Sequence, residues 1–419
     1  MTRYIYFLLL LFPISLTSQS ASKASKTEGF STERLERITN MLTSEIENQH
    51  IPGAVALISR NGKIVYLESF GNADAEGKPL KKDAIFRIAS QTKAITSTAV
   101  MMLWEEAKFK LDDPISKYIP EFKNPKVLKS FHYNDTTYTS TPAKREITIR
   151  DLLTHQSGLG YGIIDGDERM KMIYKKTGIT DLFTTKNITI KESVLKLAQL
   201  PLHHNPGEKY TYSEGLDVLA YFIEIISGMP VDEFMRTRIF EPLDMQDTYF
   251  YIPDSKKDRL VAIQHKNNGT WENFPTTFYD PDYPIKGAKT FFSGGAGLSS
   301  TAEDYAKFLQ MYLNNGKSNG VRILSRTTIN MMMQNQSSDL WAGTGRHYGL
   351  AFGVIDEVGL KKGGSGGIGT FDWGGYFNTQ YFADPKEEVI GVLMKQTQGN
   401  TGDQTSWKFR QLVFSAIDD

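Results

Sequence analysis

Hydrophobic and polar positions follow two different periods along this chain, and the switches between them mark out its elements. Leu35, Ile38, Met41, Leu42 and Ile46 fall on one face of a helical period, which predicts a helix that Ser31 caps. Residues 54–59 and 64–70 are strand-like runs separated by Asn61-Gly62, two residues that tolerate positive φ, so a hairpin is predicted. The short segment Phe86-Arg87-Ile88 then feeds a run that carries no charge from Ala94 until Glu105, with only Thr96, Ser97 and Thr98 polar before Leu103. Such a run reads as a helix buried on most sides rather than an amphipathic surface helix.

The pattern changes after Leu111. Helical segments at 149–153, 191–200 and 216–226 are separated by polar loops containing Pro and Gly, strand signals are sparse, and residues 123–145 and 274–284 read as long loops. Order returns after Ser293-Gly294-Gly295-Ala296-Gly297-Leu298. Ser300 or Thr301 caps a helix through Leu313, a second helix covers 326–333, and strand-like runs follow at 348–354, 375–382 and 388–394, the last two joined by a turn at Asp384-Pro385-Lys386. A helix near 406–417 closes the chain. The predicted architecture is an α/β (α+β) fold: an antiparallel sheet flanked by helices, built from residues 21–110 and 290–419, with a mostly helical insertion at 111–289.

Candidate chemistry sits at the head of the buried helix, where Ser90 precedes Lys93 by three residues and shares a helix face with it. Burial and the positive end of the helix dipole both disfavour an ammonium there, which leaves a fraction as free amine, and a neutral amine beside a hydroxyl is a nucleophile with its base. The same Ser-x-x-Lys spacing occurs from Ser20 to Lys23 in a polar tail and from Ser193 to Lys196 in a lysine-rich amphipathic helix. Only the copy at Ser90 combines a preceding strand with a buried helix. Taken alone, that copy reads more simply as an ordinary N-cap beside a lysine that snorkels to solvent.

Composition narrows the setting. A chain of 419 residues, 40% hydrophobic, can bury a sizeable core, and 48 basic against 48 acidic residues give no whole-chain attraction to nucleic acid or anionic membrane. Residues 1–20 have the Arg3 n-region, short apolar run and small residues of a secretory signal, so the protein is expected to be exported, periplasmic or secreted, with an uncleaved N-terminal anchor as the alternative. No other stretch approaches a membrane span. The absence of cysteine excludes disulfides and thiol chemistry, and the seven histidines lack ligand spacing, so neither metal nor other cofactor is expected.

Two further stretches carry polar groups at junctions. Tyr212 stands before a helix that Ser213 can cap, where a phenol can be pinned for proton transfer, and Glu214 reads equally as a first-turn carboxylate complementing the helix dipole. Trp373-Gly374-Gly375-Tyr376 leads into a strand, and its glycines either let the backbone approach a ligand, leaving the Tyr376 amide to face an oxyanion, or form a turn with Trp373 in the core. His155 and Ser157 fall in a structural loop with a satisfied histidine. Gly363-Gly364-Ser365-Gly366-Gly367 matches a nucleophile elbow literally but lacks the strand before and helix after that the elbow requires.

Taken in order and spacing, the stretches 86–93, 152–159, 206–214, 294–300 and 373–375 with Asp384-Pro385 resemble the superfamily of penicillin-binding proteins and class C β-lactamases, especially its carboxylesterase-like branch. The resemblance covers nearly the whole mature chain and implies a β-lactamase/transpeptidase-like fold. It implies that Ser90 is acylated, that Lys93 is its base, that Tyr212 passes the proton to the leaving group, and that the amides of Ser90 and Tyr376 form the oxyanion hole. Glu214, Trp373, Gly374 and Gly375 fall at substrate-binding positions. Two departures stand out: Glu214 replaces a frequent Asn, and Trp373-Gly374-Gly375 stands where β-lactamases and D,D-peptidases carry Lys-Thr-Gly. Arg346 and Lys361 are the neighbouring cations that can stand in. The expectation is a serine hydrolase acting on short acyl esters, with β-lactams or D-amino-acid peptides as alternative substrates and a catalytically silent module binding peptidoglycan or protein as the rival of another class.

Overall fold

The computed structural model describes residues 27–363, 366–399 and 402–419. The expected signal at 1–20, the Ser20 to Lys23 copy and Gly364-Ser365 of the glycine loop lie outside the described residues.

Helix α1 (Thr32–Glu47) begins at Ser31, whose side chain accepts from the Arg34 amide, and the hairpin β1 (Gly53–Arg60) and β2 (Lys63–Gly71) turns through Asn61 and Gly62 at φ +53° and +75°. Two residues of β3 (Phe86–Arg87) lead to α2 (Thr92–Glu105). The next stretch holds the hairpin β4 (Lys126–His132) and β5 (Thr137–Pro142), then α3 (Ile149–Leu153), α4 (Glu168–Thr177), α5 (Ile190–Leu197), α6 (Gly215–Ser227) and α7 (Val231–Met235). A small hairpin, β6 (Gln264–Asn267) and β7 (Thr270–Asn273), precedes α8 (Tyr283–Lys286). After β8 (Ser299–Ser300) come α9 (Ala302–Leu313), capped by Thr301, the short pair β9 (Lys317–Ser318) and β10 (Val321–Arg322), and α10 (Arg326–Met333). The chain ends through β11 (Arg346–Tyr348), β12 (Gly353–Ile355), α11 (Glu357–Lys362), β13 (Phe371–Gly374), β14 (Gln380–Asp384), β15 (Val389–Met394), β16 (Thr397–Gln398) and α12 (Thr405–Ser415).

Seven strands form one antiparallel sheet in the order β11-β12-β13-β14-β15-β1-β2. Strand β1 is buried along its whole length because both of its faces are covered. Ala54, Ala56 and Ile58 meet Leu35, Ile38 and Leu42 of α1 and Phe409 and Val413 of α12, while Val55 and Leu57 face the larger core of α2, α6 and α9. Thus α2 packs on the sheet side and on α6 and α7 of the insertion within a single apolar cluster.

Several elements differ from expectation. Residues 123–145 are not a loop: β4 and β5 pair as a largely exposed hairpin, whose polar strands have no buried face to produce an alternating pattern. The run 348–354 is split by a turn, with the Gly349 amide donating to the Phe352 carbonyl, because a Cβ at Gly349 would lie 2.1 Å from the Met332 carbonyl oxygen. The run 375–382 contains a turn from Gly375 to Thr379, and the strand before it starts at Phe371. Helix α6 has Glu214 rather than Ser213 at its N-cap, while Ser213 Oγ, one residue earlier, accepts from the Gly215 amide at 3.3 Å and lies 3.2 Å from His155 Nδ1.

Arg87, 1% exposed, ties the neighbourhood of Ser90 together. Its guanidinium donates to the carbonyls of Pro281 and Val261, each at 2.7 Å, and its amide donates to Gln396 Oε1 at 2.8 Å. Replacing it by methionine keeps the apolar stem but leaves buried carbonyls without donors. Arg87→Met is expected to lower the unfolding free energy by about 2–4 kcal/mol, read as a lower urea midpoint; an unchanged midpoint would show that water replaces the guanidinium without cost.

Candidate active site

Between β3 and α2 the chain makes a 3₁₀ turn, Ala89–Gln91. Ala89 adopts φ +43°, a left-handed conformation that costs a residue with a Cβ about 1–3 kcal/mol. Ala89 is fully buried in an aromatic cluster with Tyr161, Phe183, Tyr279, Tyr283 and Phe377, which offsets that cost. The turn leaves Ser90 half-buried while the residues on either side are enclosed.

Lys93 is 1% exposed, and its Nζ lies 3.3 Å from Ser90 Oγ. Nζ also donates to the Gly295 carbonyl at 2.7 Å and stands 4.6 Å from the ring centre of Tyr212 and 5.3 Å from that of Tyr161. Two other polar residues of the otherwise apolar helix have the same destination. Thr96 Oγ1 donates to the Gly294 carbonyl at 2.7 Å, and Thr92 Oγ1 accepts from the Leu298 amide at 3.1 Å. Gly294 is required by this approach, since a Cβ would lie 2.5 Å from the Leu216 carbonyl oxygen of α6.

Tyr212 is half-buried and packed between His155, at 4.6 Å between ring centres, and Tyr161 at 5.5 Å. Its hydroxyl lies 3.4 Å from Trp373 Nε1, which donates to it. The Ser213 amide donates to His155 Nδ1 at 3.2 Å, so the ring proton is assigned to Nε2, which has no hydrogen-bond partner among the described residues. The histidine is therefore only half satisfied. Burial, with Lys93 nearby, holds it well below the usual imidazole range, so it is neutral.

Trp373, Gly374 and Gly375 lie half-exposed where β13 ends, and the two readings of the glycines prove compatible. Gly375 donates to the Thr379 carbonyl at 2.8 Å in a turn, and a Cβ on it would lie 2.5 Å from the Ile88 carbonyl oxygen. The close approach is to the turn that carries Ser90. The next residue is Tyr376, whose amide donates to no backbone carbonyl of the described residues.

Glu214 is 1% exposed, and burial, with Asp181 and Asp217 nearby, raises its carboxyl well above the usual range. Burial raises Asp181, with which it shares a hydrogen bond, too. Three acids cannot all ionise in so enclosed a space, and Glu214 Oε1 has no hydrogen-bond partner among the described residues. Arg346 is committed to Asp372, which also takes Arg410. Three residues beside Lys93 escaped sequence reading: Tyr161, one of 20 tyrosines, Gly295 and Asp217. The only available signal was a glycine cluster and an acid in the first turn of a helix. Among the described residues no cluster of three or more His, Asp or Glu is arranged to hold a metal ion.

A family model described as Beta-lactamase matches residues 38–414. The chain is 32% identical over 365 residues to Protein Rv1367c of Mycobacterium tuberculosis, covering 83% of this chain and 86% of that protein. It is 28% identical over 392 residues to Esterase EstB of Burkholderia gladioli, covering 88% and 92% of the two chains. Among solved structures, EstCE1, described as a hydrolase with promiscuous acyltransferase activity, superposes with a TM-score of 0.77 at 26% identity, covering 92% of this chain and 98% of its own.

The approach of Gly375 to Ile88 can be tested directly. Gly375→Ala must push the end of β13 away from the Ser90 turn, and a displacement near 1 Å is expected to reduce kcat/KM toward esters about 100-fold, with the heat-unfolding transition retained. Activity at the level of the unaltered protein would show that the spacing has no catalytic consequence.

Proposed function

The chain belongs to the β-lactamase family and is a serine hydrolase of that superfamily with a β-lactamase/transpeptidase-like fold, and from this premise we propose that it hydrolyses uncharged carboxylic esters through an acyl-enzyme on Ser90. The carrying observation is the pairing of Ser90 Oγ with the enclosed amine of Lys93 at 3.3 Å. Lys93 takes the Ser90 proton as Oγ bonds to the ester carbonyl carbon. The negative charge that develops on the carbonyl oxygen is received by the amides of Ser90 and Tyr376. Collapse breaks the bond to the alcohol oxygen, which leaves with a proton passed through Lys93 and Tyr212. A water, deprotonated by the same pair, then attacks the acyl carbon and releases the acid.

Preference for esters is supported by the end of β13. Trp373 stands where the related lactamases and peptidases carry a lysine, and its indole N–H is turned to Tyr212. Arg346, a cation of that region of the sheet, is held by Asp372. A substrate carboxylate would forgo a charge-assisted contact of about 1.5–3 kcal/mol, roughly a 10- to 150-fold loss in rate constant. An uncharged ester forgoes nothing. The esterase name of EstB supports the same reading.

Intact-mass spectrometry after exposure to p-nitrophenyl butyrate is expected to show one acyl adduct, absent in Ser90→Ala; an adduct that persists in that variant would place the nucleophile elsewhere. In a substrate panel, kcat/KM for p-nitrophenyl acetate and butyrate is expected to exceed that for nitrocefin and an acyl-D-Ala-D-Ala peptide. Efficient nitrocefin or peptide cleavage with negligible ester turnover would replace the ester reading by the lactamase or peptidase one.

A further inference from the structure

Asp217 lies in the first turn of α6, 2% exposed. Its Oδ1 accepts from Ser293 Oγ at 2.7 Å and from the Gly295 amide at 2.8 Å. The carbonyl of the same Gly295 accepts from Lys93 Nζ at 2.7 Å, so one residue joins the buried acid to the buried amine. A Cβ on Gly295 would lie 3.4 Å from Asp217 Oδ1, 3.5 Å from Lys93 Nζ and 3.2 Å from the Tyr161 hydroxyl, which shows these three groups converging on the space a side chain would occupy. Asp217 Oδ2 and the Tyr161 hydroxyl have no hydrogen-bond partner among the described residues. An enclosed carboxylate with half of its acceptors unused destabilises a fold, and the two bonds to Oδ1 would be accepted as well by an amide oxygen. What an amide lacks is the charge.

We propose that Asp217 is a positioning residue for Lys93: it fixes Gly295 so that its carbonyl receives the amine, and it supplies the buried negative charge against which Lys93 exchanges its proton with Ser90. This rests on the reading of Lys93 as the base of Ser90. The other groups facing the amine do not supply that charge. His155 and Glu214 are neutral for the reasons given above, and Glu214 shares its proton with Asp181. Burial keeps the Tyr161 phenol un-ionised, and Tyr212 presents its ring face to Nζ. Burial raises the carboxyl of Asp217 above its ordinary range, and the bonds from Gly295 and Ser293 and the nearness of Lys93 oppose that rise without cancelling it; the charge assigned to Asp217 therefore belongs to the proposal and is what the variants below test.

The sign of the consequence follows. A buried negative charge opposes the loss of a proton from any cation beside it, so its removal is expected to extend activity to lower pH. In Asp217→Asn, which retains an acceptor for Gly295 and Ser293, the acid limb of kcat/KM for p-nitrophenyl acetate is expected to move down by about one pH unit or more, with the alkaline plateau within a few-fold of the unaltered protein. Asp217→Ser removes the charge with a smaller side chain and is expected to move the limb the same way, which keeps the test decisive if the asparagine variant folds poorly. A limb that stays in place in both variants, whatever the plateau, overturns the role of Asp217 even though the Ser90 adduct still forms. If the unaltered protein forms no Ser90 adduct, the Ser90–Lys93 reading falls and the role of Asp217 falls with it.

Discussion

The site depends on a clasp between a buried helix and one extended stretch of chain. Three polar side chains of α2, Thr92, Lys93 and Thr96, sit where an apolar helix would otherwise carry leucine, and each meets a backbone group between Gly294 and Leu298. Each such bond contributes only about 1 kcal/mol net, but leaving one of the buried groups unpaired would cost about 1–3 kcal/mol. The helix and the stretch are therefore locked in register. That register sets where the amine of Lys93 lies relative to Ser90, and the pairing of β3 with β8 extends the lock to the residues just before the turn.

Around this clasp the backbone is pressed closer than side chains normally allow. Gly294 lets the stretch touch α6, Gly375 lets the end of β13 touch the Ser90 turn, and Ala89 is held at positive φ by aromatic packing rather than by being glycine. The cost of Ala89 is local, and the offset comes from rings contributed by four separate segments. The arrangement leaves Ser90 half-buried at a junction of enclosed elements. Crowding also governs charge. So many ionisable groups are enclosed with Lys93 that burial favours the neutral form of most of them, including His155 and Glu214.

Elements whose signal is short-range were legible. The α1 periodicity, the Asn61-Gly62 turn, the Thr301 cap and the uncharged run of α2 each produced the element expected, because the relevant interactions lie within a few residues. The exposed hairpin β4–β5 was missed for want of a buried face. The turn at Gly349 was missed because the reason for it, the Met332 carbonyl, belongs to another element. The same division runs through the site. The spacing of Ser90 and Lys93 was readable because one local turn brings them together, whereas the surroundings of Glu214 were not, because they come from Asp181 and Asp217.

By itself, then, the sequence determined the helices α1, α2, α3, α5, α6, α9, α10 and α12, the first hairpin and the Ser90–Lys93 pair, all consequences of local period and turn chemistry. The tertiary structure alone decided which acids are neutral, which glycines are contacts and which groups surround the amine. Lys93 and Gly295 are 202 positions apart, and Asp217 and Gly295 are 78 apart. Contacts of that span follow from how the layers pack, and no local pattern of polar and apolar residues records them.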